Sequence, residues 1–274
     1  MAAKPGSVIE ADSPGAASFE VLGSRLEYRW IGPRPGDAPT IVFLHEGLGC
    51  LAMWRDFPDR MASAAGCGAL VYSRLGYGAS ESVRGPRPVR FMHDEALDVL
   101  PAVIEHFKLV EVILFGHSDG ASIAVIYAGA RLGPVRALVL EAPHVFVEPV
   151  CIESIARIAE AYETTRLRER LARYHGGNTD SMFRTWTDVW LTPEFRQWNI
   201  EEYLPAIESP VLVVQGEDDE YGTLRQIDAV ATQVRGPAKS LVLAHCGHSP
   251  HSDQPDEVLE AAGRFVQKTL DAGR

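Results

Sequence analysis

No run of apolar residues in this chain approaches the roughly 18 that a membrane span needs. No cluster of lysine and arginine offers the basic face that a phosphate backbone wants. A membrane protein and a nucleic-acid binder are both disfavoured on those grounds. The charge balance is instead acidic: 37 Asp and Glu against 26 Lys and Arg leave −11 over 274 residues. Cysteine is scarce. Cys50, Cys67, Cys151 and Cys246 share no C-x-x-C spacing, so neither a zinc site nor a disulfide framework is suggested. Reduced thiols and a cytoplasmic address are the expectation. The opening residues, MAAKPGSVIEADSPGAAS, lack the apolar core of a secretory signal and read as a short flexible lead-in. Repeats and charge blocks are missing too, while a hydrophobic share of 46% excludes a disordered chain.

Short apolar runs alternate with stretches of helical period. Ser18–Gly23 and Arg25–Trp30 read as a hairpin of edge strands. Continuous aliphatic runs follow at 40–44, 69–72, 112–115, 137–140, 211–214 and 241–243, as expected of strands buried on both faces. Met92, Ala96, Val99, Leu100, Val103, Ile104 and Phe107 trace one face of a helix that has Pro101 inside it. Val258, Leu259, Ala262, Phe265, Val266 and Leu270 trace another, with Pro255 where a first turn tolerates it. The alternation predicts an α/β protein with a mostly parallel sheet flanked by helices. From 143 to 205 the alternation stops, and the sequence is helical, charged and rich in tryptophan. This stretch is expected to be a helical lid on a core made of 1–142 and 206–274.

Gly116-His-Ser-Asp-Gly120 sits between an apolar strand and a helical run. A serine on so tight a turn is pushed outward and needs neighbours with little side chain. The following helix aims its amide-rich end at the same spot. Ser118 is therefore the candidate nucleophile. A hydroxyl is too weak an acid to attack a carbonyl unaided and needs a base with an orienting partner. Of nine histidines, His248 follows the last strand in a glycine-bearing loop at the sheet's carboxyl edge, with His245 and His251 as competitors. The acidic turn Gly216-Glu-Asp-Asp-Glu220 supplies the orienting carboxylate: Asp219 by preference, Asp218 as runner-up. The oxyanion would be held by the backbone amides of Asp119 and of Gly47, or else Glu46, in the glycine-rich loop His45-Glu-Gly-Leu-Gly49. The side chains of Glu46 and Asp119 should turn away, because a carboxylate beside a developing anion opposes catalysis. His45 is expected to hold this loop rather than act as a second base.

Taken together these residues resemble the α/β-hydrolase superfamily over nearly the whole chain. His45-Glu-Gly-Leu-Gly is similar to its His-Gly-Gly oxyanion loop, and Tyr72-Ser-Arg-Leu-Gly-Tyr-Gly-Ala-Ser to its strand-4 motif. Gly116-His-Ser-Asp-Gly resembles the nucleophile elbow, Gly216-Glu-Asp-Asp the acid turn and Cys246-Gly-His-Ser-Pro the base loop. The resemblance implies an eight-stranded sheet with a helical cap between strands six and seven. It also implies a Ser118–Asp219–His248 triad in the superfamily's chain order. Two positions depart from the pattern: Glu46 stands for a customary glycine, and Ser73 for an aspartate that commonly anchors a loop. Serine at the elbow sets the chain apart from dehalogenases and epoxide hydrolases, whose nucleophile there is aspartate.

Members of this superfamily cleave esters, lactones, thioesters, amides and C–C bonds with the same triad, so fold does not choose the substrate. Trp54, Tyr77, His144, Trp186 and Trp190 are candidates for the wall of an apolar pocket under the lid. The alternative for any of these rings is that it cements the lid to the sheet. The expected activity is hydrolysis of a small to medium carboxylic ester through an acyl-enzyme on Ser118, without metal or cofactor, the only partner being a small acyl substrate. A C–C bond hydrolase is the nearest rival, and a ligand-sensing module without turnover is the rival from another class.

Overall fold

The computed structural model describes residues 16–272. Residues 1–15 of the expected lead-in lie outside that range, while its Ala17 and Ser18 open the first strand. The elements run β1 (Ala17–Val21), β2 (Ser24–Ile31), β3 (Thr40–Leu44), α1 (Phe57–Ala65), β4 (Gly68–Tyr72), α2 (Phe91–Asp94), α3 (Leu100–His106) and β5 (Val112–His117). They continue with α4 (Asp119–Gly129), β6 (Val135–Glu141), α5 (Pro149–Thr164), α6 (Leu167–His175) and α7 (Thr179–Trp190). The chain closes with β7 (Val211–Gly216), α8 (Arg225–Gln233), β8 (Ala238–Leu243), α9 (Pro250–Asp253) and α10 (Pro255–Ala272). The eight strands form one sheet in the order β1-β2-β4-β3-β5-β6-β7-β8. The β1–β2 hairpin joins antiparallel through β2 to β4, and every other pairing is parallel.

Both faces of the central strands are covered, which is why their sequences are apolar throughout rather than alternating. Val42, Leu70, Leu114, Leu138 and Val213 point into one core layer, and Ile41, Phe43, Val71, Ile113, Phe115, Val139 and Val214 into the other. α4 is the most enclosed helix, buried from Asp119 to Ala128. Pro101 does not break its helix. A π turn at Glu95–Val99 separates α2 from α3, leaving Pro101 in the first turn of α3, where its missing N–H costs least.

Between β6 and β7 the chain makes α5, α6, α7 and three short 3-10 segments and no strand. The loops after β3, β5, β7 and β8 all emerge at the carboxyl edge of the parallel strands, the place where open α/β sheets bind ligands. Among the described residues no helix is long and apolar enough to cross a membrane.

Candidate active site

Ser118 sits between β5 and α4 with φ 54° and ψ −117°, a strained backbone for a residue with a β-carbon. The surroundings over-determine it. Its N–H donates to the Glu141 carbonyl (2.9 Å), and its own carbonyl accepts from Ala121 and Ser122 (2.9 and 3.0 Å). At Gly120 a β-carbon would lie 2.0 Å from the Leu44 carbonyl oxygen, so only glycine lets α4 start this close to β3. The hydroxyl stands 2.9 Å from Nε2 of His248, whose Nδ1 lies 2.8 Å from Oδ1 of Asp219. The carboxylate also accepts from the Tyr221 and Gly222 amides (2.8 and 3.3 Å) through Oδ1 and from Gln215 Nε2 (3.2 Å) through Oδ2. Burial pushes the Asp219 carboxyl up, but the adjacent His248 and these donors outweigh it and hold it below its usual range. The structure thus brings Ser118, His248 and Asp219 into one hydrogen-bonded chain.

The competitors are elsewhere. His245 is exposed, and His251 bonds Glu141 (2.6 Å) instead. Asp218 points to solvent while its amide donates to the Cys246 carbonyl (2.9 Å). That contact is possible because Gly216 lets the acid turn lie against the base loop; a β-carbon there would be 2.1 Å from the same carbonyl oxygen.

A buried arginine shapes the loop after β3. Arg74 Nη2 donates to the carbonyls of His45 (3.2 Å) and Glu46 (2.9 Å). In a trans peptide the N–H lies opposite the C=O, so the amides of Glu46 and Gly47 face away from Arg74. Gly47 lines the same cavity as Ser118. His45 donates from Nδ1 to the Glu46 carbonyl (2.7 Å) and accepts the Arg74 amide at Nε2 (3.1 Å). Burial and the neighbouring guanidinium hold its pKa well below the usual value, so it serves this loop as a neutral ring.

The two carboxylates beside this loop and the elbow each have neighbours of their own. Asp119 accepts from Trp186 Nε1 (3.2 Å) and lies 3.9 Å from Arg74 Nη2, rather than facing the start of its own helix. Burial raises its carboxyl above the ordinary range against the pull of Arg74. Glu46 turns under its loop toward His117, 3.6 Å from Nδ1.

The cavity over Ser118 measures about 240 Å³, and His144, Trp186 and Trp190 line it with Cys151, Ile155 and Leu171. Trp54 and Tyr77 do not, contrary to expectation. Trp54 packs against Phe43, Phe115 and His251 in the core. Tyr77 is held between the Arg74 and Arg87 guanidiniums, 4.7 and 4.8 Å from its ring. Both follow strand ends, which made them plausible, yet their loops turn the rings inward. Phe195 and Trp198 stack on each other (5.5 Å) behind Trp190 and serve as cement. Burial pushes the His144 imidazole down to about 3, so the pocket meets it neutral.

Two features had no clear sequence signal. Ser73 does not leave the loop unanchored. Its hydroxyl accepts the Leu51 amide (2.8 Å) and donates to Glu27, so a carboxylate from β2 reaches the place a residue-73 aspartate would fill. His175 in α6 accepts the Gly78 amide and donates to the Leu48 carbonyl (both 3.0 Å), tying the helical insertion to the loop after β3.

His117, Glu141 and His251 carry donor atoms within 4.8 Å of one another. Within the trio His251 and Glu141 are hydrogen-bonded at 2.6 Å, closer than the roughly 3.3 Å between neighbouring ligand atoms on a tetrahedral zinc.

Comparison with known proteins agrees with this architecture. The model of the "Alpha/beta hydrolase family" matches residues 41–261. A proline iminopeptidase of Lactobacillus helveticus (strain DPC 4571) is 24% identical, over 91% of this chain and 95% of that protein. Among solved structures, a bacterial membrane phospholipase A superposes with a TM-score of 0.75 at 20% identity, over 93% of this chain and 86% of the other. A proline iminopeptidase of Mycobacterium smegmatis gives 0.69 at 16% identity, over 95% and 100%. With the matched segment running from β3 into α10 and the strand order continuous across it, the chain belongs to the alpha/beta hydrolase family.

Proposed function

We propose that this hydrolase cleaves a small to medium carboxylic ester through an acyl-enzyme on Ser118, under a lid formed by residues 143–205. One observation carries the reading: a hydroxyl on a strained elbow lies 2.9 Å from an imidazole whose far nitrogen is 2.8 Å from a buried carboxylate. His248 takes the Ser118 proton as the hydroxyl attacks the acyl carbon, and later returns it to the leaving group. Asp219 holds the Nδ1–H tautomer and stabilises the imidazolium. The amides of Asp119 and Gly47 receive the oxyanion, worth about 3–4 kcal/mol per donor in comparable sites. Water then repeats the cycle on the acyl-enzyme.

The walls favour a neutral, apolar acyl group. Cys151, Ile155, Leu171, Trp186 and Trp190 supply hydrocarbon, and His144 is uncharged. Of the two carboxylates at the cavity, Glu46 is engaged with His117 and Glu220 stands exposed at the edge. A second reading, release of an N-terminal residue from a peptide, is favoured by the curated relatives, which are named proline iminopeptidases. A panel of p-nitrophenyl esters from acetate to octanoate, run beside proline β-naphthylamide, separates the two. Ester turnover is expected to dominate and to vanish in Ser118→Ala while the fold persists. Preferred cleavage of the amide would replace the ester reading, and full activity in Ser118→Ala would refute both.

A further inference from the structure

Behind the triad lies a set of titratable groups that the proposed chemistry leaves unused. His117 closes β5, one residue before the nucleophile, and its side chain is 1% exposed. Its Nε2–H donates to the backbone carbonyl of His248 (2.7 Å). Its Nδ1 faces the Glu46 carboxylate at 3.6 Å. Beside it, His251 bonds the fully buried Glu141, whose backbone carbonyl accepts the Ser118 amide. The His117 ring lies 5.2 Å from that of His248 and 5.1 Å from that of His251. Glu46 belongs to the oxyanion loop, His117 and Glu141 to the elbow's supports, and His251 to the segment after the base loop. The loop after β3, the elbow with its supports and the segment after β8 therefore meet here.

We infer that Glu46, His117, Glu141 and His251 form a buried ionic clasp, with His117 as a doubly protonated positioning residue that fixes the His248 backbone relative to the oxyanion loop. The reason is electrostatic. Nε2 must carry its proton to bond a carbonyl, and an unprotonated Nδ1, itself buried and without a hydrogen-bond partner, would turn a lone pair toward the Glu46 carboxylate. A second proton on the ring turns that repulsion into attraction. Burial pulls the His117 pKa down, but Glu46, Glu141 and the His248 carbonyl more than offset it and raise it to about 9. The same contact, against the opposing effect of burial, holds Glu46 far below the usual carboxylate range. The clasp accounts for the departure at position 46, because a glycine there would leave the imidazolium without its partner.

The titratable groups facing His117 are Glu46 from the loop after β3, Glu141 from β6, and His248 and His251 from the segment after β8. Because its folded pKa is raised, the clasp is complete at neutral pH and is lost as pH rises through about 9. The inference rests on Ser118 being the nucleophile, and the test keeps the two apart. A fluorophosphonate probe needs no knowledge of the substrate, so its second-order labelling rate on Ser118 is followed from pH 6 to 10. Wild type is expected to lose rate as pH approaches about 9. Glu46→Gln should move that fall downward by about one pH unit or more. His117→Leu should lower the limiting rate about tenfold with little change in probe affinity, and His117→Gln, which keeps a donor to the carbonyl, should recover part of it without the alkaline fall. An alkaline limb unmoved by Glu46→Gln, with labelling otherwise normal, overturns the clasp. Failure to label wild type at any pH overturns the nucleophile instead. The clasp is then still decided by imidazole 1H–15N spectra of wild type at pH 7.5: two ring N–H signals for His117 support it, and a single one refutes it.

Discussion

Replacing Asp219 by asparagine tests the proton chain most sharply, because the surroundings dictate which way the new amide must face. Oδ1 is met by three donors: His248 Nδ1 and the amides of Tyr221 and Gly222. Oδ2 is met by one, Gln215 Nε2, which is also committed to the carbonyls of Gly222 and Thr223. An asparagine that kept its oxygen at the Oδ1 position would set its NH2 against a single donor; the flipped amide would face three. The first arrangement wins, and it preserves the tautomer of His248. What is lost is charge. A full ion pair at 2.8 Å is worth at most about 6 kcal/mol at an effective dielectric constant of 20. Charge-assisted bonds are about twice as strong as neutral ones, so about 3 kcal/mol disappears. Asp219→Asn should therefore reduce kcat for a p-nitrophenyl ester roughly 150-fold with KM nearly unchanged. Asp218→Asn, at an exposed position, should leave the rate alone. Turnover near wild type in Asp219→Asn would remove Asp219 from the mechanism. A loss of about 10⁴-fold would mean that the amide had flipped and imposed the wrong tautomer, refuting the donor count.

Two further substitutions address the frame around the site. Gly120→Ala forces a methyl group against the Leu44 carbonyl, which is backbone and cannot swing aside, so a cost at or above about 3 kcal/mol is expected in urea unfolding. A variant as stable as wild type would show that α4 is free to slide. Trp186→Phe removes the donor to a buried carboxylate, and denaturant titration should register a loss of about 2 kcal/mol. An unchanged midpoint would mean that Arg74 alone satisfies Asp119.

The parts of this molecule that could be read in advance are those whose physics is local. Strands such as Val42–Leu44 and Val211–Val214 betray themselves because burial on both faces removes every polar residue. Ser118 and Asp219 each follow such a strand in a turn marked by glycine; His248 follows β8, a half-exposed edge strand whose short run at 241–243 is still enough to mark it. The sheet brings all three turns to one edge. Trp54 and Tyr77 were misplaced because ring direction depends on loop backbone, which a pattern of residue types does not encode. The Glu27–Ser73 anchor and the contacts of His117 with Glu46 and His248 join residues far apart in the chain, each unremarkable in its own segment. The Glu27–Ser73 and Glu46–His117 contacts follow from strand pairing, and the His117–His248 contact from the path of the loop after β8 back across the sheet edge.

The helical excursion between β6 and β7 contributes walls to the cavity but no member of the proton chain, which comes wholly from strand ends. On the proposed mechanism, the bond-breaking groups come from the core alone, while the cavity walls are shared between the insertion and core-loop residues such as Leu48, Met53 and Tyr221. The interface of insertion and core includes two polar bolts, His175 to the loop after β3 and Trp186 to Asp119. Ile155, Leu171 and Trp190 can therefore be reworked to admit a different substrate without touching Ser118, Asp219 or His248, provided both bolts stay fastened. Directed evolution for new substrates would be best confined to those wall positions.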